Sequence, residues 1–195
     1  MEIRKEKIGL YFGSFNPIHY GHLILANSIA ENGDFDKIWF VVSPLNPLKK
    51  QSSLLDNNTR LHLVEMAIED NPRFRACNIE FSLPIPSYTI NTLTYLNEKY
   101  PDKDFSLIIG QDNLCSFKKW KNYNEILKYY NIVVYPRINC QESEFLKEKN
   151  VHLISAPLIN ISSSLIRQMI KENKSIQYLV PEIVRVEIEK SNLYH

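Results

Sequence analysis

The stretch Ile8-Gly9-Leu10-Tyr11-Phe12-Gly13-Ser14-Phe15-Asn16-Pro17-Ile18-His19-Tyr20-Gly21-His22 decides how this chain is read. Ile8 to Phe12 is a short apolar run closed by a Gly-Ser-Phe-Asn-Pro turn, which predicts a buried strand. Between His22 and Glu31, residues Leu23, Ile24, Ala26, Asn27 and Ala30 fall at helical spacing, which predicts a helix. The turn between them is neither a G-x-G-x-x-G fingerprint nor a Walker A loop. It places His19 and His22 three positions apart, so both belong to the first helical turn and project the same way. The free N–H groups and positive pole of such a turn attract anions. Two hydrogen-bonding imidazoles complete a phosphate pocket that contains no nucleophile. A lone histidine here would read as an ordinary cap or surface residue; the pair, directly after a strand and a G-x-F-x-P turn, favours the anion site.

The alternation of periods continues outward from this stretch. Strands are expected at Ile38 to Val42, Phe74 to Phe81, Phe105 to Ile109, Ile132 to Tyr135 and Val151 to Ser155. Helices are expected at Thr59 to Asp70, Thr89 to Lys99, Tyr123 to Tyr129, Glu142 to Lys149, Ser162 to Lys171 and Glu182 to Lys190. Six strands alternating with helices imply an α/β fold, a doubly wound, mostly parallel sheet with helices on both faces. No repeat, low-complexity stretch or linker interrupts it, so residues 1–195 are expected to form a single domain. Ligands of such folds sit beyond the carboxyl ends of the strands. The segments following Phe12, Val42, Phe81, Ile109 and Ser155 are therefore the ones to search. The long loop from Ser43 to Asn58 carries Pro44 and Pro47, and loops of that length are usually functional or mobile.

Composition excludes several classes. The chain has 195 residues with 44% hydrophobic and 23% charged, a size and balance that give a sizeable core and rule out intrinsic disorder. Its 23 basic residues face 22 acidic ones, with no long basic run, so a nucleic-acid partner is not expected. Cys77, Cys115 and Cys140 form no C-x-x-C pair, which argues against a disulfide framework or structural zinc and for a reducing compartment. The start has no signal-peptide pattern and no window reaches the length of a membrane span. A soluble, cytoplasmic protein without membrane contact is expected.

The Gly13-to-His22 segment resembles the nucleotidyltransferase superfamily marked by [H/T]-x-G-H, whose members move an AMP or CMP unit from a nucleoside triphosphate. Ile161-Ser162-Ser163-Ser164-Leu165-Ile166-Arg167 resembles the same superfamily's I-S-S-T-x-I-R motif and reads physically as a second, serine-capped helix start with an arginine nearby. Within the superfamily the middle of the chain is similar to bacterial nicotinate-nucleotide adenylyltransferases. Ser87-Tyr88-Thr89-Ile90-Asn91-Thr92-Leu93 looks like their S-Y-T-x-x-T-L. Ile109-Gly110-Gln111-Asp112-Asn113-Leu114 with Phe117 and Trp120 looks like their I-G-x-D-x-L-x-x-F-x-x-W. The helix ending Ala67-Ile68-Glu69-Asp70-Asn71-Pro72 and the Tyr178-Leu179-Val180-Pro181 segment extend the likeness over nearly the whole chain. Asn16 stands where aspartate is frequent, Ser164 where threonine is, and Leu48 where many relatives have histidine.

The resemblance implies an ATP site made of Gly13, Ser14, Phe15, His19, His22, Gly110, Asp112, Ile161, Ser162, Ser163 and Arg167. His19 and His22 would be its catalytic pair and Asp112 would accept from ribose hydroxyls. It implies an acceptor site made of Asn16, Lys49, Ser87, Tyr88, Thr89 and Trp120, with Trp120 stacked on a pyridine ring and Lys49 reaching phosphate. Singly, Asp112 also reads as a helix cap, Trp120 as plain core and Lys49 as a solvated charge. The implied reaction joins ATP and nicotinate mononucleotide into deamido-NAD and pyrophosphate, with Mg2+ on the triphosphate and no protein metal cage. A homo-oligomer is compatible with the sequence, which does not give the oligomeric state. Two rivals stay open: the same chemistry on nicotinamide mononucleotide or phosphopantetheine, and a nucleotide-sensing module without turnover. A class I aminoacyl-tRNA synthetase would need a K-M-S-K-S-like loop and an RNA-binding region, and neither is present in these residues.

Overall fold

The computed structural model describes residues 4–44, 54–138 and 140–195. Its sheet has six strands, β1 (Glu6–Gly13), β2 (Lys37–Val42), β3 (Phe74–Cys77), β4 (Lys103–Gly110), β5 (Asn131–Tyr135) and β6 (Val151–Leu153), in the order β3-β2-β1-β4-β5-β6. Every pairing is parallel. The helices are α1 (Tyr20–Asn32), α2 (Asn57–Ile68), α3 (Thr89–Lys99), α4 (Gln111–Cys115), α5 (Tyr123–Tyr129), α6 (Ser163–Lys171) and α7 (Glu182–Lys190). The strand order reverses at β1 and β4, which opens a crevice beyond their carboxyl ends.

Strand side chains alternate between two cores, as the period of two requires. Tyr11, Ile38, Phe40 and Val133 pack beneath Leu25 of α1, Leu63 of α2, Ile166 of α6 and Val184 of α7. Leu10, Trp39, Leu107 and Val134 pack on the other face under Leu93 of α3 and Ile126 of α5. Helices therefore cover both faces. At Gly9 a β-carbon would lie 2.6 Å from Ile108 Cδ1 and 2.8 Å from Ile38 Cδ1, so glycine lets the neighbouring strands' isoleucines meet over the central strand.

Four elements differ from the sequence expectation. The strand expected at Phe74 to Phe81 ends at Cys77, because its partner β2 pairs only as far as Val41 opposite Cys77; the chain then turns into a 3-10 helix at Ile79–Ser82. The helix expected at Glu142 to Lys149 is a 3-10 turn at Glu144–Lys147. That polar stretch buries only Phe145, and a short helix without an apolar face lacks the packing that stabilises it. The last strand also stops at Leu153, short of the expected Ser155, and α4 falls in a stretch where no helix was expected.

Arg60 of α2 is fully buried and spends its guanidinium on backbone carbonyls. Nη1 donates to Ser14 O at 2.6 Å and to Ser43 O at 2.9 Å, Nε donates to Leu55 O at 2.9 Å, and Nη2 donates to Asn57 Oδ1 at 2.7 Å. One side chain thus joins the turn after β1 to the end of β2. Each acceptor left unsatisfied costs about 1–3 kcal/mol. Arg60→Met should therefore lower stability by about 3 kcal/mol or more in urea unfolding; a loss below about 1 kcal/mol would contradict this role.

Candidate active site

The turn after β1 is shaped by one left-handed residue. Phe15 has φ 44°, a region that costs an L side chain free energy unless packing holds it there. Its ring is 2% exposed and lies edge-on or tilted to Tyr11 at 5.8 Å and Phe40 at 5.6 Å. A β-carbon on Gly13 would come within 2.7 Å of that ring, so Gly13 is the residue that lets Phe15 fold back. The chain then reaches His19, the N-cap residue of α1, whose carbonyl accepts from His22 N at 2.9 Å.

His19 and His22 stack face to face, with ring centroids 3.7 Å apart and planes inclined by 26°. Phe15 supports His22 edge-on at 5.0 Å. Gly21 has a clear physical role here. Its β-carbon would lie 2.9 Å from His19 Nδ1 and 3.1 Å from Ile159 Cγ2, so a side chain would push the first imidazole out of place. His19 makes no capping bond and is 4% exposed, and its Nδ1 is buried without a hydrogen-bond partner among the described residues. Burial, reinforced by the Arg137 guanidinium, lowers its pKa to about 4. His19 is therefore a neutral imidazole at physiological pH.

These residues line a cleft of about 970 Å³ at the crevice between β1 and β4. Ser14, Asn16, Ile161, Ser162, Ser163 and Arg167 share its wall with the histidines. Ser162 caps α6 by accepting from Leu165 N at 3.2 Å. Ser163 Oγ donates to Pro17 O at 2.9 Å and Arg167 Nη1 donates to Asn16 O at 2.8 Å, so the two motifs, far apart in sequence, meet directly. Asp112, in the first turn of α4, makes no cap; its Oδ1 lies 3.6 Å from Arg137 Nε. Gly110 is buried beneath it, off the cleft wall, where a β-carbon would collide with Asp112 Oδ1.

Ser87, Tyr88, Thr89 and Trp120 form the other end of the cleft. Thr89 is the first residue of α3, so free N–H groups point this way. Trp120 is half-buried, with Phe117 at 5.3 Å, and belongs both to the cleft wall and to the edge of a core. Asn16 is 5% exposed and its Oδ1 accepts from Leu55 N at 3.2 Å. Lys49 lies outside the described residues.

The charged residues Glu80, Lys119, Lys121 and Arg137 also line this cleft and were not singled out from the sequence. Arg137 follows β5, the one strand end left out of the expected search although the same rule applied to it. It packs on Tyr135, 5.1 Å from the ring centroid, and faces Asp112 and His19. Lys121 follows Trp120, with Nζ 4.4 Å from the Tyr88 centroid. Glu80 sits in the 3-10 helix that replaced the end of a strand. Among the described residues no group of three or more His, Cys, Asp or Glu could hold a metal ion.

The lowered pKa of His19 has a thermodynamic consequence. Between the ordinary histidine pKa near 6.5 and the folded value of about 4, protons bind only the unfolded chain. The stability that a neutral His19 contributes is complete above about pH 6.5 and is lost as pH falls towards 4. In paired urea titrations at pH 7 and pH 4.5, His19→Gln should lose about 2–3 kcal/mol less than the unmodified protein. Equal losses would show that His19 is not held neutral.

A family model described as cytidylyltransferase-like matches residues 10–169. The "Probable nicotinate-nucleotide adenylyltransferase" of Flavobacterium psychrophilum is 54% identical over 190 residues, 96% of this chain and 98% of that protein. The protein of the same name from Cytophaga hutchinsonii is 55% identical over 178 residues, 91% of this chain and 93% of that one. Among solved structures, Plasmodium falciparum nicotinic acid mononucleotide adenylyltransferase complexed with NaAD superimposes with a TM-score of 0.82 over 97% of each chain, at 23% identity, a likeness of fold. The geometry of the stacked histidines and the identity over nearly the full length agree: this chain belongs to the cytidylyltransferase-like family and, within it, to the nicotinate-nucleotide adenylyltransferases.

Proposed function

We propose that residues 1–195 form one nucleotidyltransferase domain that transfers the AMP unit of ATP to nicotinate mononucleotide, acting in the cytoplasm. The observation that carries this reading is the stacked His19–His22 pair at the start of α1, facing the start of α6 across one cleft. A phosphate oxygen of the acceptor forms the new bond to the α-phosphorus. The bond from that phosphorus to the oxygen bridging to the β-phosphate breaks, and pyrophosphate departs with the electron pair. The nucleophile is already an anion, so no base is required and catalysis rests on positioning and charge stabilisation.

Each group has a role in that scheme. His22 donates to the α-phosphate as its charge grows. His19, held neutral, donates a hydrogen bond and contributes no cation. Positive charge comes instead from Arg137, beside His19, and from Arg167 at the α6 end, where Ser162, Ser163 and the helix start hold the β- and γ-phosphates. Gly13, Ser14, Phe15 and Ile161 shape the nucleotide wall, Gly110 lets Asp112 lie close, and Asp112 accepts from ribose hydroxyls. Asn16 and Lys49 serve the acceptor phosphate, while at the other end of the cleft Ser87, Tyr88 and Thr89 hold the ring carboxylate and Trp120 stacks on the ring. Magnesium would enter with ATP and offset charge on the triphosphate, and it would call for few ligands from this chain.

Incubation with MgATP and a panel of mononucleotides, followed by identification of the dinucleotide, tests the reaction. Nicotinate mononucleotide should be preferred by on the order of 10²-fold, because an amide N–H facing donors is left unmatched at ~1–3 kcal/mol per group. Equal kcat/KM for the nicotinate and nicotinamide acceptors would contradict the substrate assignment. His22→Ala should lower kcat by ~10²–10³, the scale of one lost transition-state donor. Retention of more than half the activity would remove His22 from the mechanism.

A further inference from the structure

Glu80 lines the acceptor end of the cleft although it is only 2% exposed. Its Oε1 accepts from Thr92 Oγ1 at 2.8 Å, which ties it to α3 one turn beyond Thr89. Its Oε2 is buried with no partner that meets strict hydrogen-bond geometry among the described residues, although the Ser43 hydroxyl just beyond β2 favours the ionised carboxyl against the larger effect of burial. Among the described residues no Lys, Arg or His forms an ion pair with it. The titratable group that feels it from β3 is the Cys77 thiol; Arg75 and Lys99 act on Cys77 and not on Glu80. Tyr88, Lys119 and Lys121 are ionisable groups of the cleft wall that Thr89 and Trp120 share.

A carboxyl removed from water without a cation is held in its uncharged form. Burial indeed pushes Glu80 above the ordinary carboxylate range, against the smaller opposing effects of Thr92 and Ser43. We propose that Glu80 is a specificity-determining residue whose charge selects the acceptor. Uncharged, it admits a mononucleotide whose ring bears a carboxylate; ionised, it repels that carboxylate and leaves a neutral ring amide nearly unaffected. The same carboxyl holds α3 in place in both states, so the selection comes from charge and not from a change of framework. This inference rests on the adenylyl-transfer reading above and adds a proton to it: binding of the anionic acceptor raises the affinity of Glu80 for its proton.

The test is the ratio of kcat/KM for nicotinate mononucleotide to that for nicotinamide mononucleotide, measured from pH 5.5 to 9. Titration of the acceptor phosphate near pH ~6 is common to both compounds and cancels in the ratio. In the unmodified protein the ratio should fall by on the order of 10-fold as Glu80 ionises, equivalent to a like-charge repulsion of about 1.4 kcal/mol. Glu80→Gln keeps an acceptor for Thr92 and should hold the ratio flat at its low-pH value. An unchanged pH dependence in Glu80→Gln, or an equal loss toward both acceptors at every pH, would overturn the proposal. Carbon-13 NMR of the Glu80 carboxyl in the unmodified protein gives an arm that needs no variant. Nicotinate mononucleotide should raise its titration midpoint and nicotinamide mononucleotide should not; no difference between them overturns the proposal. Absence of any dinucleotide product would instead strike the adenylyl-transfer reading, and the NMR shift would still report whether Glu80 senses the ring substituent.

Discussion

The backbone of residues 14–17 belongs to no strand or helix, and its carbonyl groups must be satisfied from elsewhere. Side chains reach three of those carbonyls: Arg60 of α2 donates to Ser14 O, Arg167 of α6 to Asn16 O and Ser163 of α6 to Pro17 O. Two guanidiniums and a hydroxyl, drawn from helices on one face of the sheet, thereby set a four-residue turn. The position of His19, the entry of α1 and the left-handed Phe15 all follow from that turn. Arginine suits the task because its forked donors reach several carbonyls at once without losing charge. The consequence is that the starts of α1 and α6 are not separate features that happen to share a cleft. The start of α6 is bonded to the turn that places the start of α1.

The cleft also solves an electrostatic problem. Its proposed substrates bring a triphosphate and a second phosphate into one space, so a carboxylate or an extra cation in the wrong place would be costly. His19 is kept neutral by burial and by Arg137, and Glu80 is kept toward neutral by burial alone. The basic side chains of Arg137, Arg167, Lys119 and Lys121 are half-buried or exposed and line the same walls. Asp112 is 3.6 Å from Arg137, which places its negative charge beside a cation. Low dielectric in the interior disfavours the charged forms of His19 and Glu80, and the half-buried arginines supply positive charge for the proposed phosphates.

Much of this was legible in the sequence because local rules were obeyed. The Ile8–Phe12 run, the Gly13 turn and the His19/His22 spacing marked strand, turn and helix within a few residues of their observed limits. The six-strand sheet followed from alternation of period. What was not legible depended on contacts far apart in the chain. Arg60 read as one polar residue on an amphipathic helix, and nothing local says that its guanidinium crosses to Ser14. Glu80 read as the polar side of a strand, since the end of β2 that stops β3 at Cys77 is a property of pairing and not of the Phe74–Phe81 pattern. Arg137 was accessible to the strand-end rule, since it follows the strand expected at Ile132 to Tyr135 as directly as Ser14 follows the first. The 3-10 turn at Glu144–Lys147 read as a helix because charge-rich stretches carry helix propensity without the apolar face that would use it.

On the proposed reading, the bonds to Asn16 and Pro17 make the turn bearing His19 and His22 and the start of α6 one phosphate site. A double-mutant cycle tests this coupling most directly. Affinity for a non-hydrolysable ATP analogue is measured by calorimetry in the unmodified protein, His22→Ala, Arg167→Met and the double variant. Groups coupled through shared contacts show interaction free energies of ~0.5–3 kcal/mol, whereas independent groups add to within ~0.3–0.5 kcal/mol. A coupling of about 1 kcal/mol or more is the predicted result. Additivity of the two losses would mean that α6 and the histidine turn bind phosphate independently, which contradicts a single phosphate site built from both.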